Sequence, residues 1–114
     1  MMHTMKLNTR PFERMKEGKK MVEYRLNDEK RKRLKLGDTI IFQKLSNLDE
    51  KLLMEITDLN LFNNFYDAFL EFVNVENSDI GESIEKAVNS MYEYYEKNDE
   101  KKYGCLAISL KTLN

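Results

Sequence analysis

The 114-residue sequence predicts an α+β fold: a mixed, barrel-like sheet of about five to six strands with helices packed outside it. Three observations carry this expectation. Short segments with period-two apolar alternation occur at both ends and in the middle of the chain. Two segments with helical periodicity follow one another in the second half. Most strands succeed each other without the long crossover that a parallel sheet requires. A sheet that closes also removes the exposed edges such short strands would otherwise present.

The elements follow in order. Met5 and Leu7 alternate with polar neighbours and predict a first strand. Thr9-Arg10-Pro11 predicts a helix start, with Thr9 as N-cap and Pro11 in the first turn. That helix turns Phe12 and Met15 inward and ends at Gly18, a natural C′ residue. In the next strand Val22 and Tyr24 share one face, while Met21, Glu23 and Arg25 share the other. The charged run from Asn27 to Arg33 predicts a helical turn capped by Asn27 or Asp28. Gly37-Asp38 turns the chain into a strand over 39–43. Residues 46–50 are expected to link this to a longer strand over 51–61, where Leu52, Met54 and Ile56 alternate.

The first helical pattern runs from Phe62 to Val73 and the second from Ile84 to Tyr95. Residues 98–102 are expected to form a charged loop, with Tyr103-Gly104 leading into a last strand. There Leu106, Ile108 and Leu110 alternate with the small residues Ala107 and Ser109.

The length fits one domain over residues 1–114. A lone cysteine, Cys105, leaves no intrachain disulfide, and one histidine, His3, is too few for a zinc site or a histidine-based triad. No metal or cofactor is expected. No apolar run approaches the roughly 20 residues of a membrane span. The expectation is a cytoplasmic, soluble protein with no membrane partner. The sequence carries no signal of oligomeric state.

The net charge of −1 conceals a division. Residues 1–44 hold 13 Lys/Arg against 6 Asp/Glu, a balance of +7; residues 45–114 hold 6 against 14, a balance of −8. Such a dipolar surface offers its basic side to an anion, or its two halves neutralise each other across the fold.

The residues that carry a family resemblance are distributed along the chain. They are Met5-Lys6-Leu7 with Pro11-Phe12, then Gly18, Lys20, Glu23 and Arg25 in a Gly-x-Lys-x-x-Glu-x-Arg pattern. Asp28-Glu29-Lys30-Arg31, Leu36 to Phe42, Tyr94-Tyr95 and Lys102 to Ile108 with Lys111 complete the ordered set. Together they resemble an ASCH domain. The resemblance implies a PUA-like β-barrel with a cleft beside it that accepts RNA or a nucleotide. Some small bacterial members are amidohydrolases that remove the acetyl group from N4-acetylcytidine with a lysine, a threonine and a glutamate. Lys20 matches their lysine; Glu23 stands where they carry the threonine; Glu76 is the nearest counterpart of their glutamate.

Three functional readings result. In the first, a basic cleft around Lys20, Glu23 and Arg25 binds RNA or a modified nucleoside. Lys19, Lys20 and Arg25 form a phosphate-binding rim, and Lys30, Arg31 and Arg33 make backbone contacts. Tyr94 and Tyr103 serve as stacking surfaces, while Tyr92 and Tyr95 fall on the apolar helical stripe. In the second, the chain hydrolyses an N-acyl nucleoside. Desolvation among cations disfavours the charged form of Lys20, which then acts as base, and Glu23 or Glu76 handles the water. Positions i and i+3 of a regular strand face opposite ways, so Lys20 and Glu23 converge only if the strand bulges or begins after Lys20. In the third, the acidic helices form a protein-interaction surface. The bland alternative to all three is a solvated strand face with surface ion pairs worth about 0–1 kcal/mol.

Overall fold

In the computed structural model, which describes residues 1–81 and 83–113, five strands form one sheet in the order β1-β3-β4-β5-β2. The strands are β1 (Met2–Leu7), β2 (Val22–Leu26), β3 (Thr39–Lys44), β4 (Asn47–Phe62) and β5 (Cys105–Thr112). Only β1 and β3 run parallel; every other pairing is antiparallel. The sheet curls into a half-barrel with four helices around it, an α+β fold of the PUA-like type.

The curl comes from β4. Its 16 residues pair first with β3 and then with β5, and the register slips between Ile56 and Asp58. Such an irregularity bends a strand and increases its twist. Residues 47–50, expected as a link, are already part of this strand because they fold back onto β3 as a tight hairpin.

The two faces of β5 serve two cores. Leu106, Ile108 and Leu110 join Met5, Phe12, Met15, Phe42 and Met54 on one side. Cys105 and Ala107 join Val22, Tyr24 and the aromatics of α2 (Phe65–Phe72) on the other. The small side chains of β5 leave room for Phe65 and Phe69 to sit against the sheet, with Tyr24 edge-on to Phe69 at 4.7 Å between ring centroids. Burial of this apolar surface is the main stabilising term, about 25 cal/mol per Å².

α1 (Thr9–Lys16) seals the first core, and Gly18 ends it with φ +79°. Its cap position falls on Asn8 rather than Thr9, and no side chain caps it. The basic run winds into a 3₁₀ turn, Arg31–Arg33, where the Asp28 carboxylate accepts from the Arg31 backbone N–H at 3.1 Å. α3 spans Ile84–Met91, about one turn shorter than the apolar stripe that runs to Tyr95, because residues 92–94 continue as turns. Phe62 closes β4 instead of opening a helix, and Asn64 caps α2 by accepting from Asp67 N–H at 2.7 Å.

The charged segment expected as a loop is a helix, α4 (Lys97–Tyr103). Its apolar stripe is too short to register as periodicity. A polar contact holds it instead: buried Glu100 accepts from Phe65 N–H at 2.8 Å and from the Tyr92 hydroxyl at 2.7 Å. Tyr103 therefore sits on this helix, half-buried against the second core, not in a loop.

Candidate functional site

The two edge strands of the sheet, β1 and β2, are not paired to each other. The strand β2 begins only at Val22, so Lys20 lies before it and is free of the strand's alternation. Its side chain turns back: Nζ donates to the Val22 carbonyl at 2.8 Å and stands 3.2 Å from Glu23 Oε1. Glu23 and Arg25, two apart on β2, share a face, and the Arg25 guanidinium grips Glu23 Oε2 at 2.8 and 2.9 Å. Arg25 also donates to the Lys6 carbonyl on β1 at 3.0 Å. A guanidinium thus spans the gap where a strand-to-strand ladder would otherwise close the barrel.

Lys20 and Glu23 are buried, at 8% and 6% exposure. Two cations and one carboxylate leave this trio with a formal charge of +1. Burial by itself pushes the Glu23 carboxyl up; the combined pull of Lys20 and Arg25 outweighs it and holds the group below its ordinary value. Burial likewise works against the Arg25 charge, and Glu23 together with Tyr95 more than restores it. The Lys20 ammonium lies 5.5 Å from the centre of the Tyr24 ring, within cation–π range.

These residues line a cavity of about 480 Å³. That lies inside the roughly 300–1,000 Å³ typical of small-molecule sites. Its walls include Lys6 and Asn8 from the end of β1, Arg31 from the basic turn, and Tyr94 and Tyr95 from the segment after α3. The Tyr94 hydroxyl accepts from Asn8 Nδ2 at 3.0 Å, which holds an otherwise exposed ring at the rim.

Of the residues singled out in the sequence, Lys20, Glu23, Arg25, Arg31 and Tyr94 meet in this cavity. The others do not. Lys19 is exposed, pairs with Glu17 at 3.3 Å and lines a separate hollow beside Arg14. Lys30 and Arg33 are exposed on the basic turn and make no ion pair among the described residues. Glu76 is exposed in the turns after α2 and lines none of the cavities described, and Tyr103 is likewise outside them. Lys6, Asn8 and Tyr95 are wall residues that escaped sequence reasoning. Tyr95 sits on the apolar stripe and packs against the second core, yet it also faces the cavity. Lys6 contributes through its backbone carbonyl, for which no sequence signal exists.

The curled half-barrel and its edge-strand cleft define the class: a PUA-like domain. More narrowly, the chain belongs to the ASCH domain family, whose profile matches residues 5–114. The family is RNA-binding-like. The chain is 35% identical to a hypothetical protein of Pyrococcus, PH0355, whose crystal structure superposes with a TM-score of 0.86 over 99% of this chain and 100% of that one. It is also 35% identical to protein PF0455 from Pyrococcus furiosus, whose solution structure gives a TM-score of 0.77 over 100% and 99% of the two chains. No curated protein matches it.

Proposed function

We propose that this ASCH domain binds RNA or a nucleotide in the cleft between β1 and β2. The observation that carries the reading is the buried Lys20–Glu23–Arg25 trio, whose net positive charge lies inside a cavity walled by Tyr24, Tyr94 and Tyr95. A base stacks on the exposed ring of Tyr94, with Tyr95 beside it, and the cations meet the backbone or the polar edge of the base. Glu23 fixes the orientation of both cations and prevents them from repelling each other in a desolvated site.

The test is fluorescence anisotropy with a labelled, mixed-sequence single-stranded oligoribonucleotide. Tyr94→Ala removes an exposed ring, so the fold survives. Loss of one stacking partner costs about 1–3 kcal/mol, roughly 5- to 150-fold in affinity. Affinity also falls as salt rises, because phosphate contacts release counterions. Equal binding by wild type and Tyr94→Ala, or no binding by either, sinks the proposal.

The convergence of Lys20 and Glu23 favours one second reading, amidohydrolysis of N4-acetylcytidine or a related N-acyl nucleoside. The arrangement fits a cation better than a base: Lys20 Nζ donates to a carbonyl and meets a carboxylate, so no lone pair faces the cavity. Release of cytidine from N4-acetylcytidine that vanishes in Lys20→Met decides for hydrolysis; no release decides against it.

A further inference from the structure

A second cavity, about 650 Å³, adjoins the first, and Pro11, Lys20, Tyr24 and Met91 line both. The two are therefore one groove with Lys20 at its waist. The walls of the second half carry a different chemistry. It has no rim tyrosine. Instead Arg10 from α1 and Lys86 from α3 face it together with Lys20. Its one carboxylate among the described residues, Asp79, is already neutralised by Arg14, which grips Oδ1 through Nε at 2.6 Å and through its terminal nitrogen at 2.5 Å. Two hydroxyls stand in the same wall. Ser83 accepts from Lys86 N–H at 3.2 Å, so its own hydrogen is free to donate. Ser90 donates to the Lys86 carbonyl at 2.9 Å and keeps its lone pairs.

From this juxtaposition we infer that the second cavity is a phosphate subsite, and that the ligand of the groove is a phosphate-bearing nucleotide rather than a neutral nucleoside. The inference rests on the reading of the first cavity as a nucleotide site and extends it. Among the described residues, Arg10, Lys20 and Lys86 supply three positive charges that no ion pair satisfies within this half, apart from the shared contact of Lys20 with Glu23. The Arg10 guanidinium can fork two phosphate oxygens, Lys86 acts as a point charge, and Ser83 donates to a third oxygen. A base held against Tyr94 and Tyr95 then directs its ribose across the waist, past Lys20, and places the attached phosphate among these groups. A phosphomonoester at the end of a nucleotide and a phosphodiester within an RNA chain present the same oxygens.

Calorimetric titration of the full chain separates the cases. The probes are the four ribonucleosides, their 3′- and 5′-monophosphates, and a mixed-sequence single-stranded hexaribonucleotide. The expected result is that a phosphate-bearing probe binds at least tenfold tighter than the corresponding nucleoside. In the charge reversal Arg10→Glu with Lys86→Glu, that ratio collapses toward one; both side chains are exposed, and a thermal melt verifies the fold. Lys101→Glu with Lys102→Glu, on exposed positions outside both cavities, keeps the wild-type ratio. A gain already complete with a monophosphate assigns a terminal phosphate, and a gain that needs the hexamer assigns an internal diester; either supports the subsite. Nucleosides binding as tightly as every phosphate-bearing probe, or a ratio that survives the reversal, overturns the subsite while the first cavity stands. No binding of any probe by wild type overturns the nucleotide reading and the subsite with it.

Discussion

Replacement of Glu23 by glutamine tests whether the buried trio is coupled as its geometry states. The carboxylate is 6% exposed and serves two cations, Lys20 at 3.2 Å and Arg25 at 2.8 and 2.9 Å. Glu23→Gln raises the buried charge from +1 to +2 and leaves the cations to repel each other. Removing one partner of a buried pair costs about 3–5 kcal/mol. The amide keeps the volume and one acceptor oxygen, so an expected loss of about 2–4 kcal/mol is appropriate. For a domain of this size that corresponds to a fall in Tm of roughly 10–20 °C, read by circular dichroism at pH 7.

Lys20→Met provides the internal control. It leaves Glu23 and Arg25 as a matched pair, so it must cost less than Glu23→Gln. The pH dependence supplies a second arm. The folded value of the Glu23 carboxyl lies below its ordinary 4.5, so its contribution is fully present above that value and is lost as pH falls through the folded value. The gap between wild type and Glu23→Gln therefore narrows in acid. A Tm for Glu23→Gln within about 2 °C of wild type refutes the coupling argument, as does a larger loss for Lys20→Met.

Three further outcomes follow from the packing. Gly104 has φ +74° and ψ −176°, a region open essentially to glycine alone, and an added Cβ would stand 2.5 Å from the Phe62 carbonyl oxygen. Gly104→Ala is expected to lose at least about 2–3 kcal/mol in urea unfolding; near-wild-type stability there contradicts the placement of α4. The Tyr24 hydroxyl is buried without a hydrogen-bond partner among the described residues. Tyr24→Phe removes that penalty and is expected to stabilise by about 1 kcal/mol, with a lowered Tm as the contrary result. Burial pushes the Cys105 thiol up to about 12, so a thiol reagent at pH 8 should modify it only at the rate of global unfolding. Labelling of the native protein within minutes contradicts that burial.

The sequence was most legible where one local signal had one structural answer. Period-two alternation located β5 and the inward residues of β4, because a half-buried strand has no other way to hide Leu106, Ile108 and Leu110. Gly18 as a helix stop and Asp28 as an acceptor for the basic turn depend only on neighbours within a few residues. The failures are places where a distant partner decides. α4 carries almost no apolar stripe and is held by Glu100, whose partners Phe65 and Tyr92 belong to other elements. Residues 47–50 look like a link until β3 is there to pair with them. The site divides in the same way. Lys20, Glu23 and Arg25 lie within six residues and their convergence turns on where β2 starts, a local matter. The wall opposite, made by Lys6, Asn8, Arg31 and Tyr95, exists only because the sheet curls.

That curl also explains why the cleft lies where it does. A sheet that closed fully would pair β1 with β2 and satisfy both edges with a backbone ladder. Here the edges stay apart, and backbone acceptors in the gap need other donors. Arg25 meets one of them at the Lys6 carbonyl, and Lys20 meets another at the Val22 carbonyl. Each long cation is therefore held at the gap by a backbone group, and Glu23 lowers the cost of keeping both there. An edge left unpaired attracts the groups that would satisfy it, and those groups are cations with donors to spare: five N–H on a guanidinium and three on an ammonium. Incomplete closure thus assembles a positively charged, hydrogen-bond-rich cleft from the need to satisfy a sheet edge. On this argument, Arg25→Lys is the substitution that separates support of the edge from ligand binding. A lysine preserves the charge but cannot bridge Glu23 and Lys6 in one plane. It should lower stability by about 1–2 kcal/mol through the lost bridge and weaken ligand binding as the rim loses its fixed geometry. Unchanged stability with weakened binding assigns Arg25 to the ligand alone; weakened stability with unchanged binding assigns it to the edge alone and removes it from the site.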